Sequence, residues 1–363
     1  MQDPVSRSRR SAILRSLAVL LCATDSTFAT ERFKDPLDYS ARPVANLSSR
    51  PLMSVTAAGN RLVAVGSRGL VIVSSDSAKS WIQARVPVQS DLLAVHFPTP
   101  LTGWIVGHDG VVLRSDDGGL NWVKQLDGRL AADSFRRFYE SRVASGQSKD
   151  KQALHLIETN YKNGAALPYL DVWFSDTNRG FAVGSYGMLI ATADGGKTWV
   201  PWLDRIDSGQ LNLNCVYGIS DHVFIAGEQG KIYKLEQEAE RFKTIETGYT
   251  GSFFGLAGNG STLLAFGLRG VTFKSDDHGN SWKQLKMPTE TTISAGVARR
   301  EDGSFLLVNG AGELIVGDRN ALQFTIVRPQ TRMRLTGIIS QPDESVVITG
   351  LGGVATERVP TPN

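Results

Sequence analysis

Cysteine is almost absent from this chain, with two residues, Cys22 and Cys215, among 363. Cys22 falls in an N-terminal stretch read below as a leader, so Cys215 would stand alone and no disulfide framework is possible. Cys215 sits in the apolar run "LNCVYG" and reads as a small buried residue. Histidine is scarce too, and His96, His108, His155, His222 and His278 show no metal-ligand spacing, so neither a metal nor a cofactor is expected. An excess of one charge is also missing. The formal charge of +3 includes a surplus of two from residues 1–29, and the near-neutral remainder gives no electrostatic case for nucleic acid. Long apolar runs are lacking as well. The stretch Leu17 to Ala23 is too short to span a bilayer, and no later segment is apolar enough, which leaves the protein peripheral to a membrane at most.

Glycine, by contrast, is abundant at 37 residues, which favours an architecture of many tight turns. The first 29 residues join basic residues, a short apolar stretch and small residues at Thr27 and Ala29. They read as an export signal cleaved after Ala29, for the periplasm by the Sec or the twin-arginine route ("SRRSAIL").

The rest is a repeat. A Gly-x-x-Gly turn recurs with leading glycines at 66, 107, 184, 227 and 267 and two looser copies at 310 and 350, spaced 41, 77, 43, 40, 43 and 40 residues apart. One spacing departs from a period near 41, and it marks an insertion. Residues 91–126 show the unit best: "LLAVHF", "GWIVG", "VVLRS" and "NWVKQ" read as four short strands separated by turn residues. Seven such units predict an all-β, seven-bladed β-propeller over residues 49–359. Too little chain follows Gly350 to make a fourth strand. The segment 30–48 is therefore expected to close the ring by supplying the outer strand of blade seven, which would cover an open sheet edge.

A second signature, Ser/Thr-x-Asp-x-Gly-x-x-Trp, returns at blade period. Its copies are Ser115/Asp117/Gly119/Trp122, Thr192/Asp194/Gly196/Trp199 and Ser275/Asp277/Gly279/Trp282, with a worn copy at Ser74/Asp76/Trp81, where Ala78 replaces the glycine. A short carboxylate or hydroxyl accepts amide hydrogen bonds inside a tight turn, glycine takes positive φ, and tryptophan packs between blades. One acid per blade at the periphery cannot converge on a glycosidic bond, which needs two carboxylates about 5–10 Å apart. These boxes therefore read as structural. Blades four and six lack the box and keep Phe242 and Phe324 near the tryptophan position.

These Asp-boxes, the hallmark of the bacterial neuraminidase repeat, together with seven blades and a leader, resemble the photosystem II stability/assembly factor family over roughly residues 45–358. The resemblance implies a non-enzymatic factor that helps a membrane-protein complex assemble from the lumenal or periplasmic side. Its partner would be a protein, such as an envelope membrane protein, and it would act as a monomer. Sialidases share the boxes and supply the alternative, a carbohydrate-active or carbohydrate-binding propeller. They are usually six-bladed, with an Arg-Ile-Pro motif and an arginine triad at the channel. Here there are seven repeats and no Arg-Ile-Pro, and no nucleophilic tyrosine with a partner glutamate can be assigned.

Propellers bind mostly on the face carrying the loops between strands two and three. The Gly-x-x-Gly turns place Arg68, His108, Asp109, Tyr186, Gln229 and Arg269 there, a mixed ring suited to a protein loop or tail. The insertion, residues 130–167, follows blade two. "DSFRRFYESRVAS", with Asp133 or Ser134 as N-cap, sets Phe135, Phe138 and Tyr139 at helical spacing among Arg136, Arg137 and Arg142. "DKQALHLIETNY" repeats the pattern with Leu154, Ile157 and Tyr161. Two helices are expected, either docked by their own apolar face or binding a partner.

Overall fold

The structure is a computed structural model and describes residues 35–147, 150–260 and 262–359. The leader, residues 1–29 with Cys22, lies outside the described residues. Seven antiparallel sheets follow one another along the chain, over residues 52–83, 92–126, 169–201, 213–245, 253–285, 293–327 and 335–358. In each, strand order equals chain order, running from an inner strand that lines the central channel to an outer one. Every inner strand carries a register shift near its first residues, such as Leu52/Ser54 and Leu213/Cys215. A bulge of this kind bends and twists a strand where it enters the ring.

The apolar side chains do not form one central core. They collect in seven clusters, each made from neighbouring blades. The alternation within strands explains this, because both faces of each blade meet a neighbour and both must be apolar. At the boundary of blades two and three, Trp104 stacks on Phe174 with centroids 3.5 Å apart.

Among the described residues six sheets have four strands and the seventh has three. Residues 35–50 add no strand to it, so the described part of segment 30–48 does not supply the expected outer strand, and residues 30–34 lie outside the described residues. Residues 35–50 instead arch across blade one. Leu37 is buried among blades one and two. The Ala41 amide donates to the Val86 carbonyl at 2.9 Å, and Asp38 pairs with Arg129 at 2.8 Å. Only the end of the arch, Leu47–Ser49, lies against the last strand of blade seven. The ring still closes at its inner strands, where Thr336 Oγ1 donates to the Leu52 carbonyl at 2.7 Å. Side-chain hydrogen bonds, chiefly from Gln83 and Gln89, hold the segment where strand pairing was expected.

The insertion forms α1 (Gly128–Ala144) and α2 (Asp150–Tyr161), set in the chain between the outer strand of blade two and the inner strand of blade three. Helix α1 starts earlier than expected because Asp127 caps it, accepting from the amides of Arg129 and Leu130. Asp133 and Ser134 lie inside the helix, where Asp133 pairs with Arg136 and Ser134 Oγ donates to the Leu130 carbonyl. Phe135, Tyr139, Ala153 and Ile157 are buried in the cluster of blades two and three. Tyr139 Oη accepts from the Leu203 amide at 2.9 Å. Arg142 clasps Asp150 at 2.6 Å and Asp204 at 3.0 Å, tying α1 both to α2 and to the outer edge of blade three. That edge strand is only two residues long, Val200–Pro201, so the helices cover an otherwise thin border. Replacing Phe135 by alanine is expected to cost about 3–5 kcal/mol of stability in denaturant unfolding, as for a buried core aromatic. A helical lid merely resting on the surface would lose well under that.

Candidate functional site

In blades one, two, three and five the third strand has two ends with different chemistry. At one end the boxes join it to the outer strand. Ser115 Oγ accepts from the Gly119 amide at 3.0 Å and donates to Asp117 Oδ1 at 2.9 Å. The same carboxylate oxygen accepts from the amides of Leu120 and Asn121, both at 3.0 Å. Thr192/Asp194 and Ser275/Asp277 repeat the network, closed by the amides of Gly196 and Gly279. Gly118 and Gly119 are both left-handed, at φ 73° and 92°. The worn copy holds Ser77 and Ala78 at φ 58° and 67°, so Ser74 and Asp76 keep the turn without glycine. Trp122 and Trp199 are buried and Trp81 and Trp282 half-buried, each in the cluster shared with the preceding blade. Phe242 and Phe324 pack likewise in their own boundaries.

Three boxes are also held from the blade before. Arg61 Nη1 donates to the Asp117 carbonyl at 2.7 Å, Arg114 Nη1 to Gly195 at 2.8 Å and Lys234 Nζ to His278 at 2.8 Å. No spacing rule in the sequence marks these ties. The box carboxylates are thus occupied by hydrogen bonds. Partial burial pushes Asp117 and Asp277 up, but donors from Asn121 and Ser281 outweigh it and hold both below the usual carboxylate range, Asp277 at about 2. Hydrogen bonds from Ser80 take Asp76 to about 2.

At the other end of the third strand lie the Gly-x-x-Gly turns. Arg68, Asp109, Tyr186, Gln229 and Arg269 all have φ between 54° and 59°, each followed by a left-handed glycine. Two successive positive φ values make a type I′ hairpin, whose twist matches that of the strands. A side chain in this region costs about 1–2 kcal/mol that glycine would not. The tips are fixed from the next blade: the Arg68 amide donates to Asp91 Oδ1 at 2.7 Å and the Tyr186 amide to Asn212 Oδ1 at 2.9 Å. Arg68, His108, Tyr186, Gln229 and Arg269 are exposed, and half-buried Asp109 accepts from Ser90 Oγ at 2.7 Å. The fold therefore sets all six sequence-derived residues on equivalent turns of five successive blades. From the insertion, Asn160 Nδ2 reaches the Tyr186 carbonyl at 3.1 Å. Arg136 is exposed and paired with Asp133, and Arg137 is exposed. Arg142 is locked in its clasp, so it is not free to meet a ligand.

The central channel, about 520 Å³, is lined by the inner strands. Side chains there bridge blades: Asp171 Oδ2 accepts from the Val216 amide at 2.9 Å, Asn214 Nδ2 donates to Phe253, and Ser294 Oγ to Leu335. Burial raises Asp171 to about 6 and lowers His96 to about 4. Cys215 lies beside Asp171, and burial pushes its thiol well up, away from the reactive thiolate. Asp171 is the one carboxylate and Arg300 the one guanidinium lining the channel among the described residues, so neither a catalytic acid pair nor an arginine triad assembles there. No described helix is long and apolar enough to cross a membrane.

The family described as photosynthesis system II assembly factor YCF48 matches residues 61–144 and 155–354. The gap falls on the junction of α1 and α2. The photosystem II assembly lipoprotein Ycf48 of Synechococcus sp. (strain CC9902) is 27% identical over 263 residues, covering 71% of this chain and 68% of the relative. The photosystem II assembly protein Ycf48 of Synechococcus sp. (strain JA-2-3B'a(2-13)) is 32% identical over 256 residues, covering 65% and 75%. A solved structure, YCF48 bound to D1 peptide, aligns with a TM-score of 0.62 at 14% identity over 86% of this chain and 94% of that one, a likeness of fold.

The box carboxylates have lowered folded values, so they stabilise the fold above about pH 4 and lose that effect as pH falls toward 2. The melting temperature is expected to drop between pH 5 and pH 3. Converting Asp76, Asp117, Asp194 and Asp277 to asparagine should flatten that drop, whereas an unaltered slope would show that other acids set it. Asp171 acts with opposite sign. Its raised value makes stability decline as pH rises from about 4 to about 6.

Proposed function

The chain belongs to the family of photosynthesis system II assembly factors described as YCF48, and from that premise we propose that it is a non-enzymatic assembly factor that holds a protein partner on its turn-tip face. One observation carries the reading. Five blades in succession place a non-glycine residue at a left-handed tip, and these side chains form a mixed ring of cations, an amide, an acid and an aromatic on one face. Local strain kept at equivalent exposed positions fits a surface selected for contact. Tyrosine and arginine are the side chains that most often dominate protein interfaces.

The partner is a segment of an envelope or thylakoid-type membrane-protein complex, met from the side to which the protein is exported. Support comes from the leader-like residues 1–29 and from the relatives, one of which is named a lipoprotein and another of which was solved with a peptide. The insertion buttresses blades two and three and offers Arg136 and Arg137 as rim contacts. A carbohydrate-active reading has less to stand on, since the channel holds one guanidinium and one carboxylate among its lining residues.

Deleting the insertion cannot test this, because it would strip the blade two–three core. Point variants can. The pair Tyr186→Ala and Arg269→Ala is expected to lower recovery of a specific partner from detergent-solubilised envelope about ten-fold or more, as loss of interface anchors does, with melting unchanged. Equal recovery by variant and parent would sink the assignment of this face. A fluorogenic sialoside should give no turnover, and turnover abolished by the same pair would establish the enzyme reading instead.

A further inference from the structure

We propose that the cleft between the N-terminal arch and blade one binds an extended, carboxylate-rich segment of a protein. The proposal rests on the partner reading above and supplies the chemistry of one stretch of that partner. The cleft measures about 670 Å³ and opens beside the blade-one turn. Pro43 and Val44 of the arch and Leu70 of the turn give it apolar walls, and Arg42, Arg50 and Arg68 stand on it from two separate segments.

Among the described residues no carboxylate pairs with any of these three guanidiniums, and the three share one cleft. Elsewhere Arg114 pairs with Asp116, Arg129 with Asp38 and Asp127, and Arg205 with Glu240. No acid lines the cleft. Asp91 is near in the chain fold, but its Oδ1 receives the Arg68 amide rather than the guanidinium. Arg50 spends Nε on the Ala45 carbonyl at 3.0 Å, and among the described residues no partner holds the rest of its fork.

The other polar groups of the cleft are committed to building it. Gln83 accepts from the Val44 amide and donates to the Arg42 carbonyl, each at 2.9 Å, while Gln89 donates to the Ser40 carbonyl. They fix the arch and leave a ligand three cations and an apolar floor. Like charges gathered without a counter-charge repel one another, and an anionic ligand relieves that repulsion. Guanidinium forks match carboxylates in planar, paired hydrogen bonds. The volume lies within the roughly 300–1,000 Å³ of pockets that enclose whole ligands, more than a lone phosphate needs. In an extended peptide alternate residues face opposite ways, so acids and aliphatics can meet the cations and the apolar wall together.

The test uses the full chain and a fluorescein-labelled octapeptide of alternating leucine and glutamate, read by anisotropy at low salt. The parent should bind it, and the variant Arg42→Gln/Arg50→Gln/Arg68→Gln should bind about ten-fold more weakly or worse. The glutamine counterpart of the peptide should not bind either form. Because all three arginines are exposed, the variant's melting should match the parent's. The charge-matched control Lys197→Gln/Lys283→Gln/Lys286→Gln should keep the parent's affinity. No binding by the parent, equal binding by the arginine variant, or an equal loss in the lysine control would each overturn the proposal. Arginine-dependent binding to phosphatidylglycerol vesicles without peptide binding would also overturn it and assign the cleft to lipid. If the arginine variant recovers the envelope partner in full while Tyr186→Ala/Arg269→Ala does not, the cleft is not that partner's acidic site, which overturns the proposal, and the turn-tip reading stands without Arg68. If the parent recovers no partner, that reading fails instead.

Discussion

Packing between blades is the interaction on which everything else in this molecule depends. No blade has a core of its own, and each of the seven apolar clusters draws on two neighbours. Burying one large apolar side chain contributes about 1.5–3 kcal/mol, and that gain is available only where the adjacent blade is present. The ring must therefore close, and the Thr336–Leu52 tie sits where it does. The same constraint explains the helices. Phe135, Tyr139 and Ile157 enter the blade two–three cluster as though they were blade residues, so the insertion is part of the wall.

Given a rigid ring, the two ends of the third strand differ in chemistry in the four blades that carry a box. One end carries boxes whose acids are saturated by amides and hydroxyls and whose carbonyls are held by Arg61, Arg114 and Lys234. The other end carries turns whose backbones are pinned at Arg68, Tyr186 and Arg269 and whose side chains, Asp109 apart, are exposed. Pinned backbone with free side chains is a preorganised surface, which loses little entropy when a partner docks.

The repeat was legible in the sequence because tight turns demand particular residues at particular places. Gly66 and Gly69, or Ser115, Asp117 and Gly119, announce a turn wherever they fall, and the period follows. The arch was illegible for the opposite reason. Residues 35–50 are held by Gln83 and Gln89 side chains reaching backbone atoms, which leaves no pattern to read, and the missing fourth strand of blade seven suggested the wrong partner for them. Asp127 was overlooked as the cap of α1 because it ends a strand as well as starting a helix. The bridges from Asp171, Asn214, Ser294 and Thr336 look like ordinary strand alternation until the ring sets neighbouring blades beside them. Arg142 looked available on a helix face, and only the fold brings Asp150 and Asp204 to it.

The central claim is that the turn-tip end receives the partner and the box end does not. Placing one photo-crosslinking residue at position 186 and, in a second protein, at position 280 of the fifth-blade box tests it within the native cell. The account predicts a discrete adduct from position 186 and none from 280. An adduct from 280 alone, or the same adduct from both, would contradict it.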